Sequence, residues 1–100
     1  LPAYYKPQGK TGRIVGKIKG VKSEEMKYMT VMIEGVQDGV PFFATVRPKA
    51  NGKYKITKFP IGVDFTIRLL GYNTMKYECQ ELLGNGDKVV KKQDLKVKSK

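Results

Sequence analysis

The chain has 100 residues, of which 40% are hydrophobic, and this length suits one globular domain rather than two. It contains no histidine and one cysteine, which excludes histidine-dependent catalysis, histidine-containing metal sites, thiolate zinc cages and an intrachain disulfide. No apolar run approaches the ~18 residues that a membrane-spanning helix needs. The sequence therefore predicts a domain that is not an enzyme, holds no metal or cofactor and does not span a membrane.

The formal net charge is +11 and the calculated pI is about 9.8. A charge of this size attracts polyanions, so the expected partners include nucleic acid, an anionic glycan and an anionic lipid surface. The alternative is a lysine coat that keeps a small β-protein soluble and its sheet edges unpaired. Composition alone leaves both interpretations open.

Residues 1–11 contain two prolines and no periodic pattern, which predicts an extended N-terminal arm. Within it, Tyr4 and Tyr5 are candidate partner contacts, although packing of the two rings against the domain is the favoured interpretation. The chain starts at Leu1, which fits either removal of a secretory signal or excision from a longer protein.

From Gly12 onward the apolar residues alternate with polar ones, as in half-buried strands. Residues 20–27 are polar and predict a loop or brief helix. Asp38-Gly39 and residues 84–87 predict hairpins, and Asn51-Gly52 predicts another tight turn. This spacing of strands and turns predicts an all-β, antiparallel sandwich of about seven strands over residues 12–97, followed by a basic tail, 98–100. A small five-stranded barrel is the alternative.

The segment Asn51 to Tyr72 resembles the signature half of carboxypeptidase regulatory-like domains. Its Asn-Gly turn, its aromatic-x-aliphatic strand at Tyr54 and Ile56, its corner at Pro60 and Gly62, the alternating strand and the final Gly-Tyr follow the family's order. The segment from Gly12 to Ile18 is similar to the family's opening strand, and Val31 to Gly35 falls where its second strand belongs.

This resemblance implies a transthyretin-like (prealbumin-like) Greek-key sandwich. It also implies a non-catalytic accessory or structural module of a secreted or cell-envelope assembly, which binds a protein partner through loops or a sheet edge. The corresponding location is extracellular, periplasmic or at the cell surface. The motif consists of folding residues and supplies no catalytic residue.

The alternative function is nucleic-acid binding on a small basic barrel of the oligonucleotide-binding type, in which case the location would be cytoplasmic. Such barrels stack bases on exposed aromatic rings inside a basic groove. Tyr54 and Tyr77 alternate in phase with apolar residues, however, which favours core positions for both rings.

The C-terminal lysines are the candidate contacts for a polyanion or other partner under either function, although a solvated, charge-protected edge is the alternative interpretation. They are Lys88, Lys91, Lys92, Lys96 and Lys98.

Overall fold

A computed structural model describes residues 9–71, 77–78 and 80–99 of the chain. In this part the protein is all-β, apart from one short 3₁₀ helix at Ser23–Tyr28, and it contains no helix long and apolar enough to cross a membrane. The strands are β1 (Thr11–Lys19), β2 (Met29–Gln37), β3 (Val40–Val46), β4 (Lys53–Pro60), β5 (Asp64–Gly71), β6 (Tyr77–Glu78), β7 (Glu81–Asn85), β8 (Val90–Lys92), β9 (Leu95–Lys96) and β10 (Lys98–Ser99).

The strands form two main sheets and one short ladder. Sheet 1 has the order β4-β1-β8, and β9 also pairs with β1. Sheet 2 has the order β3-β2-β5-β7, and β10 pairs with β6. The pairings are antiparallel except that β8 and β9 run parallel to β1. The sequence predicted antiparallel sheets and did not indicate this parallel pairing.

The two main sheets share one hydrophobic core, which makes the fold sandwich-like. Sheet 1 contributes Ile14, Ile18 and Ile56, and the inner face of sheet 2 contributes its own alternate residues. The Phe59 ring of β4 meets the Phe65 ring of β5 edge-on, with centroids 5.5 Å apart and ring planes at 84°. Such edge-to-face geometry is favoured by the ring quadrupoles, so the sheets contact each other through a specific aromatic pair.

Two of the predicted turns have the expected form. Gln37 pairs with Val40 across Asp38 and Gly39, whose φ angles of 50° and 77° are those of a tight hairpin. The corner after Pro60 takes the chain from sheet 1 to sheet 2, as the motif at Pro60 and Gly62 predicted. The turn at Asn51-Gly52, by contrast, joins strands of different sheets, because β3 lies in sheet 2 and β4 in sheet 1.

The predicted hairpin at residues 84–87 was wrong. The Gly86 amide donates to the Val63 carbonyl and the Gly62 amide donates to the Gly86 carbonyl, at 3.0 and 2.8 Å. These bonds tie the turn to the corner between β4 and β5, and from there the chain crosses to sheet 1, where β8 pairs with β1.

The ends of the domain also differ in detail from the prediction. The first strand starts at Thr11, one residue before the predicted boundary, and Lys98–Ser99 forms a strand that pairs with β6. The predictions for Tyr4 and Tyr5 lie outside the described residues.

Glycines at every fourth position of β1 and just beyond it allow the C-terminal part of the chain to come close. A Cβ atom on Gly12, Gly16 or Gly20 would overlap the carbonyl oxygen of Val89, Gln93 or Val97 respectively. We call these three glycines the glycine stripe and residues 89–97 the docked segment. The docked segment keeps one register along the whole of β1, so the same close contact recurs every four residues.

Backbone hydrogen bonds hold the docked segment in place. The Arg13 amide donates to the Val89 carbonyl at 2.7 Å, and the Gln93 amide donates to the Val15 carbonyl at 2.8 Å. Leu95 is fully buried in the shared core. The docked segment is therefore part of the folded domain and not a tail.

Replacing Gly16 by alanine should destabilise the domain by at least ~2 kcal/mol, because the added methyl group overlaps the Gln93 carbonyl and also comes within 2.8 Å of the Tyr54 ring. The measurement is urea denaturation followed by circular dichroism. Val15→Ala, on the opposite face of the same strand, is the control and should cost less. Equal losses in the two variants would contradict close docking at Gly16.

Candidate lysine groove

The outer face of sheet 1 is basic because lysines alternate with core residues along its strands. In β1, Lys17 and Lys19 flank buried Ile18, and in β4, Lys53 and Lys55 flank buried Tyr54. Successive side chains of a strand point to opposite faces, so burial of Ile18 and Tyr54 turns all four lysines outward. The alternation that builds the core therefore also builds a charged surface.

These lysines line a groove of about 810 Å³ together with residues from the connection between β3 and β4 and from β8. We call it the lysine groove. Its charged side chains are Lys17, Lys19, Arg47, Lys49, Lys53, Lys55, Lys92 and Asp94. Seven cations and one carboxylate give a local formal charge of +6, more than half of the net +11 of the whole chain.

The strand register places like charges side by side in the lysine groove. Lys17 is the direct cross-strand partner of Lys53, and Val15 lies between Lys55 on one side and Lys92 on the other. Like charges directly opposite each other on neighbouring strands destabilise a sheet. A bound anion would relieve this repulsion, so the arrangement favours an anionic ligand.

Asp94 is the carboxylate of the groove, and it is occupied within the protein. Its Oδ1 accepts a hydrogen bond from the Lys17 amide at 3.0 Å, and its Oδ2 lies 3.6 Å from the Lys19 ammonium. Partial burial alone would raise the pKa of Asp94, but the Lys17 amide and the charges of Lys92 and Lys19 outweigh it and hold the pKa below its ordinary value. Asp94 thus replaces a backbone acceptor in the ladder between β1 and the docked segment.

Tyr54 lies beneath the groove, with its ring in the core. Its side chain is 4% exposed, and its hydroxyl donates to the Gln93 carbonyl. Burial, and then the negative charge of Asp94, raises the pKa of Tyr54 above its ordinary value. The ring therefore supports the floor of the groove and offers no open face for stacking.

The predicted C-terminal lysines do not form a single patch. Lys92 lines the lysine groove, and Lys96 pairs in register with Lys19 at its end. Lys88 and Lys98 are exposed but do not line it. Lys91 faces sheet 2, where its ammonium donates to the main-chain and side-chain oxygens of Asn85, at 2.9 and 3.2 Å.

Most of the groove was absent from the sequence-based candidates, which did not include its cations from β1, β4 and the connection before β4. The available signal was the pair of lysine-x-lysine patterns around Ile18 and Tyr54. Two such strands form a common basic surface only if they are neighbours, and this pairing was not evident from the sequence. Tyr54 and Tyr77, by contrast, are both core residues, as the alternation favoured.

The described part of the chain does not bring metal-ligating side chains together. Residues 9–71, 77–78 and 80–99 contain no cluster of three or more histidine, cysteine, aspartate or glutamate side chains that could hold a metal ion.

Comparisons with protein-family models, with curated proteins and with solved structures found no match to this chain.

Tyr54→Phe should destabilise the domain by about 1–2 kcal/mol, because the Gln93 carbonyl loses the hydroxyl that donates to it. A raised pKa in the folded state means that Tyr54 stabilises the fold fully below the ordinary value of 10.0, and less as pH rises above it. The difference between wild type and variant should therefore shrink in alkali. Chemical denaturation at pH 7 to 11 measures it, and Tyr28→Phe is the control for loss of a hydroxyl. A difference that does not vary with pH would contradict this role.

Asp94→Asn should reduce the loss of stability in acid. The pKa of Asp94 is lowered in the folded state, so its ionised form stabilises the fold above the unfolded value of about 4, and this contribution disappears as pH falls further. Thermal unfolding from pH 2 to 7 should give a flatter acid limb for the variant than for wild type. An unchanged acid limb would show that Asp94 is not ionised preferentially in the folded protein.

Proposed function

We propose that this chain is a non-catalytic accessory domain of a secreted or cell-envelope assembly, and that it binds an anionic polysaccharide along the lysine groove. The observation that supports this most directly is the local charge of +6, with Lys17 directly opposite Lys53. Electrostatic attraction of this kind needs no catalytic group and no cofactor.

A general solubilising coat explains the groove less well than a binding site does. A coat that only keeps a protein soluble is best when cations and carboxylates are interspersed. On the outer face of sheet 2, Arg68 lies between the carboxylates of Glu34 and Glu81, at 3.2 and 2.7 Å, so opposite charges are interspersed there. The lysine groove of sheet 1, by contrast, has seven cations and one carboxylate. This uncompensated positive charge is expected of a surface that attracts an anionic polymer.

A glycan is favoured over nucleic acid by the side chains of the groove. Among the described residues that line it, the one aromatic side chain is Tyr54, whose ring is buried. Stacking on exposed rings is a main source of affinity for single-stranded nucleic acid. The groove also has six lysines and one arginine, whereas reading of base edges relies on the bidentate geometry of arginine. Nucleic-acid binding in the cytoplasm, favoured by the overall charge of +11, is the second candidate.

We also infer that the fold is a transthyretin-like Greek-key sandwich with about seven principal strands. The burial of Tyr54 and Ile56 and the crossing between sheets at Pro60 support this inference, because these are the roles that the family motif assigns to them. An experimental structure and its strand order would test it.

The groove is tested by fluorescence anisotropy with a labelled heparin oligosaccharide and a labelled 20-nucleotide single strand. Wild type should bind heparin more tightly than the single-stranded oligonucleotide at ~0.1 M salt. The logarithm of the binding constant should fall linearly with the logarithm of the salt concentration. Lys17→Gln/Lys53→Gln should weaken heparin binding at least ~10-fold. Where the oligonucleotide binds, the same double variant should reduce the steepness of the plot of log binding constant against log salt by about 1.4, the contribution of two phosphate contacts.

The matched control is Lys22→Gln/Lys88→Gln, which removes the same charge at exposed positions that do not line the groove. It should stay within about twofold of wild type. Equal losses of heparin affinity in the two double variants, or no heparin binding at ~0.1 M salt, would refute binding in the lysine groove. Tighter binding of the oligonucleotide than of heparin would support the nucleic-acid candidate instead.

A further inference from the structure

The outer edge of β7 differs from the other edges of the two main sheets, as far as the structure describes them. β7 pairs with β5 on one side, and no other strand in the described part of the chain pairs with it. At its centre lies Leu83, whose side chain is 84% exposed, the largest exposed fraction among the large hydrophobic residues described. An exposed edge with an apolar centre is a template for pairing with another strand.

The ladder shows which backbone groups of β7 face outward. The Leu69 amide of β5 donates to the Gln80 carbonyl at 3.1 Å, and the Gly86 amide donates to the Val63 carbonyl at 3.0 Å. The register between these two bonds is uninterrupted, and successive residues of an antiparallel strand direct their amides and carbonyls to alternate sides. Hence Glu81, Leu83 and Asn85 direct theirs away from β5.

Within the described residues, the other edges of the two main sheets carry features by which proteins protect an open strand. β3 contains Pro41, which has no amide hydrogen, and β4 presents Lys53 and Lys55. β8 and β9 also carry lysines. β7 itself has neither proline nor lysine, but the Lys91 ammonium donates to the outward-facing Asn85 carbonyl at one end of the edge. Pairing along the whole of β7 therefore requires Lys91 to release that carbonyl.

We propose that β7 binds the β7 of a second copy of this chain, antiparallel and about a two-fold axis at Leu83. The alternation of outward-facing backbone groups along β7 supports a second copy as the partner. Leu83 then opposes the second copy's Leu83 and forms a hydrogen-bonded pair with it. Glu81 opposes the second copy's Asn85, so no like charges meet. Pairing joins the two copies of sheet 2 into one continuous sheet and covers both exposed leucines.

Charge complementarity at the ends of the pairing favours the same occupant. The Lys91 ammonium now donates to the Asn85 carbonyl at 2.9 Å, and pairing would give that carbonyl to the second copy's Glu81 amide. The released ammonium would then lie beside the second copy's Glu81 carboxylate, which Arg68 of its own chain contacts from the other side. Elsewhere two copies with a charge of +11 each repel one another. Salt screens this repulsion and should strengthen the dimer, which is opposite in sign to its effect on polyanion binding. The dimer does not depend on the lysine groove.

The test is sedimentation velocity on wild type from about 10 μM to 1 mM in 0.15 and 0.5 M NaCl, without added polyanion. A dimer that grows with concentration and with salt supports the proposal. Leu83→Lys should remain monomeric throughout, because each edge then places a cation at the two-fold axis. Val36→Lys is the control, since it adds the same charge at another exposed apolar position of sheet 2, and it should dimerise like wild type.

A cross-link tests the register separately. In a Cys79→Ala background, Leu83→Cys should form an intermolecular disulfide on mild oxidation, because hydrogen-bonded antiparallel partners have Cα atoms about 5.5 Å apart, within the range of a disulfide. Val36→Cys should not. A wild-type chain that stays monomeric at 1 mM in 0.5 M salt, or a Leu83→Lys dimer as strong as that of wild type, overturns the proposal.

Discussion

The close contact between the glycine stripe and the docked segment is the constraint on which the rest of this fold depends. Gly16 has no side chain, so the Gln93 carbonyl and the Tyr54 ring can both occupy the space above it. The hydroxyl of Tyr54 then donates to that carbonyl, and Asp94 accepts from the Lys17 amide. Side chains thus take over part of a parallel ladder where backbone pairing alone does not satisfy every group.

The same contact links the core to the lysine groove. The docked segment brings Lys92 and Asp94 to the outer face of β1 while it buries Leu95 beneath it. Any change that weakens the inner packing therefore also displaces charges on the outer surface. In this small domain a stability defect and a binding defect are hard to separate, and for this reason surface lysines are better probes of binding than core residues are.

The alternation of apolar residues was sufficient to predict the all-β class and the buried faces of β2, β4 and β5, because period-two burial is a local property. The corner at Pro60 was predicted from its proline and glycine, which are also local features. The parallel partner of β1 was not predictable in this way. Gly84 to Asp87 has the sequence of a hairpin turn, but the hydrogen bonds of Gly86 with Gly62 and Val63 in the neighbouring corner redirect the chain. The groove was missed for the same reason, since Lys17 and Lys53 are far apart in the sequence and become neighbours only through strand order.

The pairing of β1 with the docked segment also sets the order in which the chain completes its fold during synthesis. Lys17 and Asp94, which hydrogen-bond across this ladder, are separated by 77 positions. At ~5–20 residues per second, the ribosome needs roughly 4 to 15 seconds to supply the partner. Throughout that interval one side of β1 presents unpaired backbone and uncovered apolar side chains to the cell. The nascent chain consequently passes through a stage open to chaperones or to strands of neighbouring chains, however stable the finished domain is.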